Sequence, residues 1–281
     1  MKIFFILFFI LLFSCKKNQV EERKDYIFTT NYPLKLIIQE ITGDTSLVRC
    51  LIPPGISPHL FEPKVSDLQK LENSKAVFYV SDEMENWVTK NIPNKIALLN
   101  LLPKENTILM PDGKTYDPHF WTDPITVYAL IDTLTEIIST YYPELQSKFL
   151  VNAQNFKNKL LELDKQVQQL LSPIKNRYVF LYHPSFLYFL TRYSLNYGGS
   201  IEEIPGGEPT PTQISKLVSK IQETSTKAIF SEPQLNDYTA RTVAEMAGVE
   251  LYELNPLGSN AIKSYSELII NNAKTLVEAL K

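Results

Sequence analysis

The stretch from Pro143 to Leu171 constrains the fold more than any other part of the sequence, because it runs without a glycine or an internal proline. Apolar residues recur along it at spacings of three and four, the periodicity of one face of an α-helix. They are Leu145, Phe149, Ala153, Phe156, Leu160, Leu163, Val167 and Leu170. At 1.5 Å per residue the helix would be about 40 Å long, which exceeds the needs of one small domain. We therefore predict that residues 143–172 form a rigid helix joining two lobes.

Short β-rich runs alternate with amphipathic runs on both sides of this stretch, a pattern typical of α/β layer structures. The predicted fold class is therefore α/β, with lobes at residues 26–142 and 173–281. Each lobe is expected to contain a mainly parallel sheet flanked by helices. Several helix starts are marked by capping residues or prolines. Asp123-Pro124, Asp82 and Pro184 are each predicted to open a helix.

The first 25 residues are not predicted to belong to the fold. An apolar run from Ile3 to Phe13 is shorter than the roughly 20 residues of a bilayer span and matches the core of a signal peptide. The sequence Leu12-Phe13-Ser14-Cys15 resembles the lipobox of bacterial lipoproteins, in which the cysteine carries the lipid. We expect residues 1–14 to be a signal peptide and Cys15 to be lipidated, followed by a polar tether over 15–25. A plain secretory signal is the alternative.

The three histidines of the chain, His59, His119 and His183, all stand in loop-forming sequences. His183 directly follows a predicted strand, as do Glu232 and Asn255, and His59 follows one after a short loop. Ligands bind at the carboxyl edge of open α/β sheets, and imidazole is the commonest protein ligand for metals such as zinc. The pattern indicates a metal site in the cleft between the lobes. Three unrelated loop or core histidines are the alternative interpretation.

Six short sequences resemble, in order and spacing, those of the solute-binding proteins of bacterial zinc or manganese ABC importers. Along the chain they are Ser57-Pro58-His59-x-x-Glu62-Pro63, Asp117-Pro118-His119-x-Trp121-x-Asp123-Pro124, Tyr182-His183, Glu208-Pro209-Thr210, Ile229-Phe230-Ser231-Glu232-Pro233-Gln234 and Asn255-Pro256-Leu257-Gly258. The resemblance covers almost the whole chain after the signal segment. It implies two α/β lobes joined by one rigid helix, a buried metal between them, and His59, His119 and His183 as its ligands.

The resemblance leaves the fourth ligand open. Many members have an aspartate at the position of Asn255, so this chain departs from their pattern. Asn255 could ligate through its amide oxygen or leave the position to water. Glu232 could be a ligand, an acceptor for an imidazole N–H, or a capped surface carboxylate. Members tuned to manganese tend to have a carboxylate in place of His183, so three imidazoles favour Zn²⁺ over Mn²⁺.

Aromatic residues close to the histidines in the sequence are expected to pack around the site and exclude water. They are Trp121, Tyr182, Phe186 and Tyr188.

The resemblance implies a monomeric, membrane-anchored lipoprotein, periplasmic or on the cell surface, without catalytic activity. It would bind Zn²⁺ and deliver it to a membrane permease and its ATPase. The net charge of −3, without a basic block, argues against a nucleic-acid partner. Adhesion to host surfaces is ascribed to some members, and nothing in the sequence tests it.

Two other functions stay open at this stage. One is a zinc hydrolase or hydratase, because three histidines with an open fourth position can activate water. Neither a His-Glu-x-x-His nor a Gly-x-Ser-x-Gly sequence is present, however. The other is a siderophore or haem binder of similar architecture, which predicts a wide basic or aromatic cleft.

Overall fold

The computed structural model describes residues 25–88, 92–203 and 206–281. The predicted signal peptide 1–14, Cys15 and all but the last residue of the predicted tether lie outside the described residues. Among the helices of the described part, none combines the length and apolar character needed to span a bilayer.

A sheet of four parallel strands forms the core of the first half of the chain. Its strands are β1 (Ile27–Thr29), β2 (Val48–Cys50), β3 (Val77–Tyr79) and β4 (Lys95–Ala97). Their order across the sheet is β2-β1-β3-β4, and every neighbouring pair is parallel. Parallel neighbours require crossover connections. Two of these contain helices, α1 (Tyr32–Thr42) and α2 (Val65–Glu72).

A second parallel sheet repeats this topology in the other half of the chain. Its strands are β5 (Tyr178–Leu181), β6 (Asn196–Ser200), β7 (Ala228–Ser231) and β8 (Glu250–Glu253). The order β6-β5-β7-β8 corresponds to that of the first sheet. The intervening helices are α5 (Leu187–Arg192), α6 (Pro211–Glu223) and α7 (Tyr238–Ala247). The predicted architecture of two parallel α/β sheets is confirmed, while the residue limits of the two lobes stay a prediction.

The long helix predicted between the halves is present as α4 (Gln146–Leu171), 26 residues or about 39 Å in length. It begins after a 3-10 helix at Pro143–Leu145, so the α-helix starts slightly later than predicted. Its buried face carries most of the apolar residues that the periodicity identified. It packs against α1 of the first half, and against α3 (Pro124–Tyr141) and α8 (Tyr265–Leu280). Helix α4 is therefore packed along its length against both halves of the chain.

Hydrogen bonds between residues far apart in the sequence fix the two halves to each other. The Trp121 indole N–H donates to Pro256 O at 2.8 Å, and the Tyr265 hydroxyl donates to Trp121 O at 2.8 Å. The Tyr32 hydroxyl donates to Ile262 O at 2.7 Å. Trp121 and Tyr265 are completely buried, so these bonds are shielded from competing water.

One of the three predicted helix starts is correct. The Asp123 side chain caps α3, with a proline at the first helical position. Asp82 caps no helix; its carboxylate accepts the Tyr79 hydroxyl at 2.6 Å instead. The prediction for Pro184 is also wrong, since α5 begins only at Leu187. A turn closed by Ser185 N–H donating to the carbonyl of residue 183 precedes that helix.

Candidate metal site

Three imidazole rings meet between the two halves. His59 lies in a 3-10 helix, Pro58–Leu60; His119 directly precedes another, Phe120–Thr122; and His183 follows β5. The Nε2 atom of His119 lies 3.2 Å from Nε2 of His59 and 3.3 Å from Nε2 of His183. His119 and His183 are buried, and His59 is partly buried. Among the described residues, these three form the group whose potential ligand atoms lie within 4.8 Å of one another.

The spacing of these nitrogens matches that around a tetrahedral metal ion. Zinc binds imidazole nitrogen at about 2.0–2.1 Å, and tetrahedral angles then place two ligand nitrogens roughly 3.3 Å apart. The two observed Nε2 separations, 3.2 and 3.3 Å, agree with that value. Lone pairs that converge so closely repel one another unless a cation or a proton lies between them. The three rings could therefore hold one metal ion.

A buried carboxylate orients the His119 ring. Asp117 Oδ1 lies 2.6 Å from His119 Nδ1 and accepts the His119 backbone N–H at 2.9 Å. A hydrogen on Nδ1 leaves the Nε2 lone pair free for a metal. Sequence reasoning gave Asp117 no role of its own. The signal that could have identified it is a carboxylate two residues before a candidate ligand.

Burial governs the titration of this cluster. Burial, with a smaller effect of His183, lowers the pKa of His119 to about 3. Burial followed by the other two imidazoles lowers the pKa of His59 well below its usual value. Burial raises the pKa of Asp117 to about 7. The environment thus favours the neutral form of His59 and His119, which is the form that binds metals, and a divalent ion on His119 would in turn favour the Asp117 carboxylate.

A second buried carboxylate lies behind His183. Glu232 Oε1 is 2.5 Å from His183 Nδ1, although the pair lacks hydrogen-bond alignment. The same oxygen accepts the Ser185 hydroxyl at 2.7 Å. Nδ1 faces away from the Nε2 atoms of the cluster, so Glu232 occupies the place of an acceptor behind the imidazole rather than that of a fourth ligand.

The amide oxygen of Asn255 is already engaged in its own turn. It accepts the N–H groups of Leu257 at 3.1 Å and Gly258 at 2.9 Å, and the Gln234 side-chain amide at 2.6 Å. Three donors share an oxygen with two lone pairs, so none is free for a metal in this arrangement. Of the two options predicted for Asn255, this geometry favours the one that leaves the fourth position to water.

A large aromatic side chain packs against the His119 ring. The Trp121 ring centroid is 5.4 Å from that of His119, in an edge-to-face arrangement. The aromatic residues predicted to pack near the site, Trp121, Tyr182, Phe186 and Tyr188, are all buried. The completely buried Trp121 keeps solvent from its side of His119, which strengthens electrostatic interactions there.

The chain is similar in sequence to proteins described as zinc-binding. The chain is 26% identical over 290 residues to the zinc-binding lipoprotein AdcA of Streptococcus pneumoniae, an alignment that covers 95% of the chain. It spans only 58% of the length of that relative.

Two solved structures extend the similarity to the fold. A Zn(II)-bound mutant variant of AdcAII from Streptococcus pneumoniae is 28% identical, with a TM-score of 0.79, over 92% of this chain and 99% of that one. The laminin-binding protein Lmb of Streptococcus agalactiae, described as bifunctional with adhesin and metal transporting activity, is 25% identical, with a TM-score of 0.82. That match covers 91% of this chain and 99% of Lmb.

The sequence profile of one family, described as zinc-uptake complex component A, periplasmic, matches residues 27–279. Since this match spans both sheets, the connecting helix and all three histidines, the chain belongs to the ZnuA family of zinc-uptake components.

Proposed function

We propose that this protein binds one Zn²⁺ ion outside the cytoplasmic membrane and delivers it to the permease and ATPase of an ABC importer. The convergence of three imidazole Nε2 atoms at zinc-like separations carries this proposal. The proteins it resembles include a zinc-binding lipoprotein and a Zn(II)-bound structure. Zinc is here the cargo of the protein and takes part in no reaction.

In this proposal His59, His119 and His183 are the protein ligands, and water completes the shell. Three neutral imidazoles leave the full charge of the ion uncompensated, and a buried charge is costly unless it is paired. Asp117 and Glu232, buried behind two of the ligands, provide that compensation without touching the metal. An all-imidazole protein shell favours zinc over manganese, which prefers carboxylate and water ligands.

We favour a carrier over a hydrolase or hydratase. His119 and His183 are only 2% and 3% exposed, which suits an enclosed ion rather than a site open to a substrate. The zinc-loaded protein should therefore hydrate carbon dioxide and hydrolyse esters no faster than free zinc. Turnover that disappears in the His183→Ala variant would favour the enzyme.

The N-terminal segment completes the proposal. Lipidation of Cys15 after removal of residues 1–14 would anchor the protein to a membrane, where a monomer could reach its permease. Mass spectrometry of the mature protein tests this directly, because a diacylglyceryl group on Cys15 adds a defined mass that Cys15→Ala abolishes.

The stoichiometry and ligands can be measured by calorimetric titration of the metal-stripped protein. Wild type should bind one zinc per chain. His119→Ala should lose most of the affinity, because His119 Nε2 lies 3.2 Å from Nε2 of His59 and 3.3 Å from Nε2 of His183. Asp112→Asn changes an exposed hairpin tip and provides a control for handling and folding. Near-native affinity in His119→Ala would contradict the assignment.

A further inference from the structure

We propose that Glu202 is a positioning residue that holds the loops of two metal-binding histidines in place and thereby sets the rate at which zinc leaves. This inference rests on the proposed function, since it concerns the release of the cargo. Glu202 is buried and makes no contact with the metal-facing nitrogens.

Glu202 fixes the residue that precedes His183 through both main chain and side chain. Its backbone N–H donates to Tyr182 O at 2.7 Å, and the Tyr182 hydroxyl donates to Glu202 Oε1 at 2.8 Å. The two residues lie just past the ends of the neighbouring strands β5 and β6. A buried pair closed by two hydrogen bonds restricts the backbone on which His183 stands.

The other carboxylate oxygen holds a nearby segment that lies beside Leu60 of the first half. Glu202 Oε2 accepts the Gly206 N–H at 2.8 Å. A Cβ built on Gly206 would lie 3.4 Å from Leu60 Cδ2, and Leu60 is the neighbour of His59. One carboxylate therefore joins the segment next to His183 to the segment that packs beside His59, by a route that does not pass through the metal.

Both oxygens of this side chain are used as acceptors, which only a carboxylate can do. A glutamine has one oxygen and would present an N–H₂ group to one of the two donors. Hydrogen bonds to a carboxylate are also stronger than those to a neutral amide. In Glu202→Gln the single oxygen is needed by the Gly206 N–H, so the charge-assisted bond from the Tyr182 hydroxyl is replaced by a weaker one donated by the amide N–H₂ group, while the shape of the side chain is preserved.

Zinc dissociation should be the step that responds. The rings themselves keep their orienting carboxylates, Asp117 and Glu232, so the encounter with zinc is unchanged. A looser His183 backbone lets one ligand leave the ion more often, and differences in affinity between related complexes reside mostly in the dissociation rate.

The test is stopped-flow release of zinc from the loaded protein into excess chromophoric chelator, with metal-stripped protein and zinc used for the association rate. Glu202→Gln and Tyr182→Phe should each release zinc at least tenfold faster, with association unchanged. The double variant should be little faster than either single variant, because both remove the charge-assisted bond between Tyr182 and Glu202. Glu203→Gln removes the same charge at an exposed neighbour and should match wild type.

Release at the wild-type rate from a Glu202→Gln variant that binds one zinc would overturn the inference and leave the proposed function intact. The same holds if the variant only unfolds at lower temperature, since that outcome indicates a structural role alone. If Glu202→Gln does not fold, Tyr182→Phe decides the question, because it removes only a hydroxyl. Absence of zinc binding by the wild type would instead refute the proposed function.

Discussion

The buried carboxyl group of Glu85 should make the stability of this protein depend on pH in a predictable direction. Glu85 follows β3 and is completely buried. Its Oε2 accepts the Val80 N–H at 2.6 Å. Burial raises the pKa of Glu85 from 4.5 to about 7, against the opposing effect of its hydrogen bonds.

The direction of the pH dependence follows from which state, folded or unfolded, holds the Glu85 proton more tightly. Between pH 4.5 and about 7 the folded protein keeps the Glu85 proton while the unfolded chain releases it. The free energy of unfolding therefore falls as pH rises through this window. Above about pH 7 the whole decrease in unfolding free energy has taken place. The difference between 4.5 and about 7, at about 1.4 kcal/mol per pH unit, amounts to about 3 kcal/mol.

Glu85→Gln replaces the carboxyl group with an amide that does not titrate. We expect the difference in unfolding free energy between the variant and wild type to shift by about 3 kcal/mol in favour of the variant from pH 4.5 to pH 8. Urea denaturation of the metal-stripped proteins, followed by circular dichroism at several pH values, measures this difference. Titrations of the histidines and of Asp117 are common to both proteins and cancel in the comparison.

Glu83→Gln removes the same charge two residues away at an exposed position and should show no such shift. A difference between Glu85→Gln and wild type that stays constant from pH 4.5 to pH 8 would refute the reasoning, because it would mean that the buried carboxyl group titrates as it does in the unfolded chain.

Three further predictions concern the metal site. Asp117→Asn should weaken zinc binding about 10–100-fold, because it removes the carboxylate that orients His119. The control Asp112→Asn should leave zinc affinity unchanged, and competition with a chelator measures both variants. Protonation of His59 and His119 should weaken zinc binding only well below pH 6, because burial lowers the pKa of both imidazoles. A decline that begins near pH 8 in calorimetric titrations would contradict this. Asn255→Asp should tighten zinc binding at least tenfold, about 1.4 kcal/mol, by adding a negative charge; equal affinities would place this residue outside the electrostatic reach of the metal.

Much of the fold could be predicted because its signals are local. The long helix followed from an uninterrupted apolar periodicity, and the start of α3 from a capping Asp123 followed by proline. The parallel sheets followed from the alternation of element types along the chain. Helix starts failed at Asp82 and Pro184, where the same residue types make other local hydrogen bonds. Capping residues and prolines suit turns as well as helix ends, so their spacing alone does not distinguish the two.

Three side chains can be identified as candidates for a metal site from the sequence alone, since no other histidine is present and each stands in a loop-forming sequence. The folding of the chain brings their Nε2 atoms together and places Asp117 and Glu232 beside the Nδ1 atoms of two of the rings. It also engages the Asn255 amide oxygen in hydrogen bonds within its own turn. These facts depend on the orientation of individual rings and carboxylates, which is set by packing between segments far apart in the chain. Spacing along the sequence carries no record of that packing.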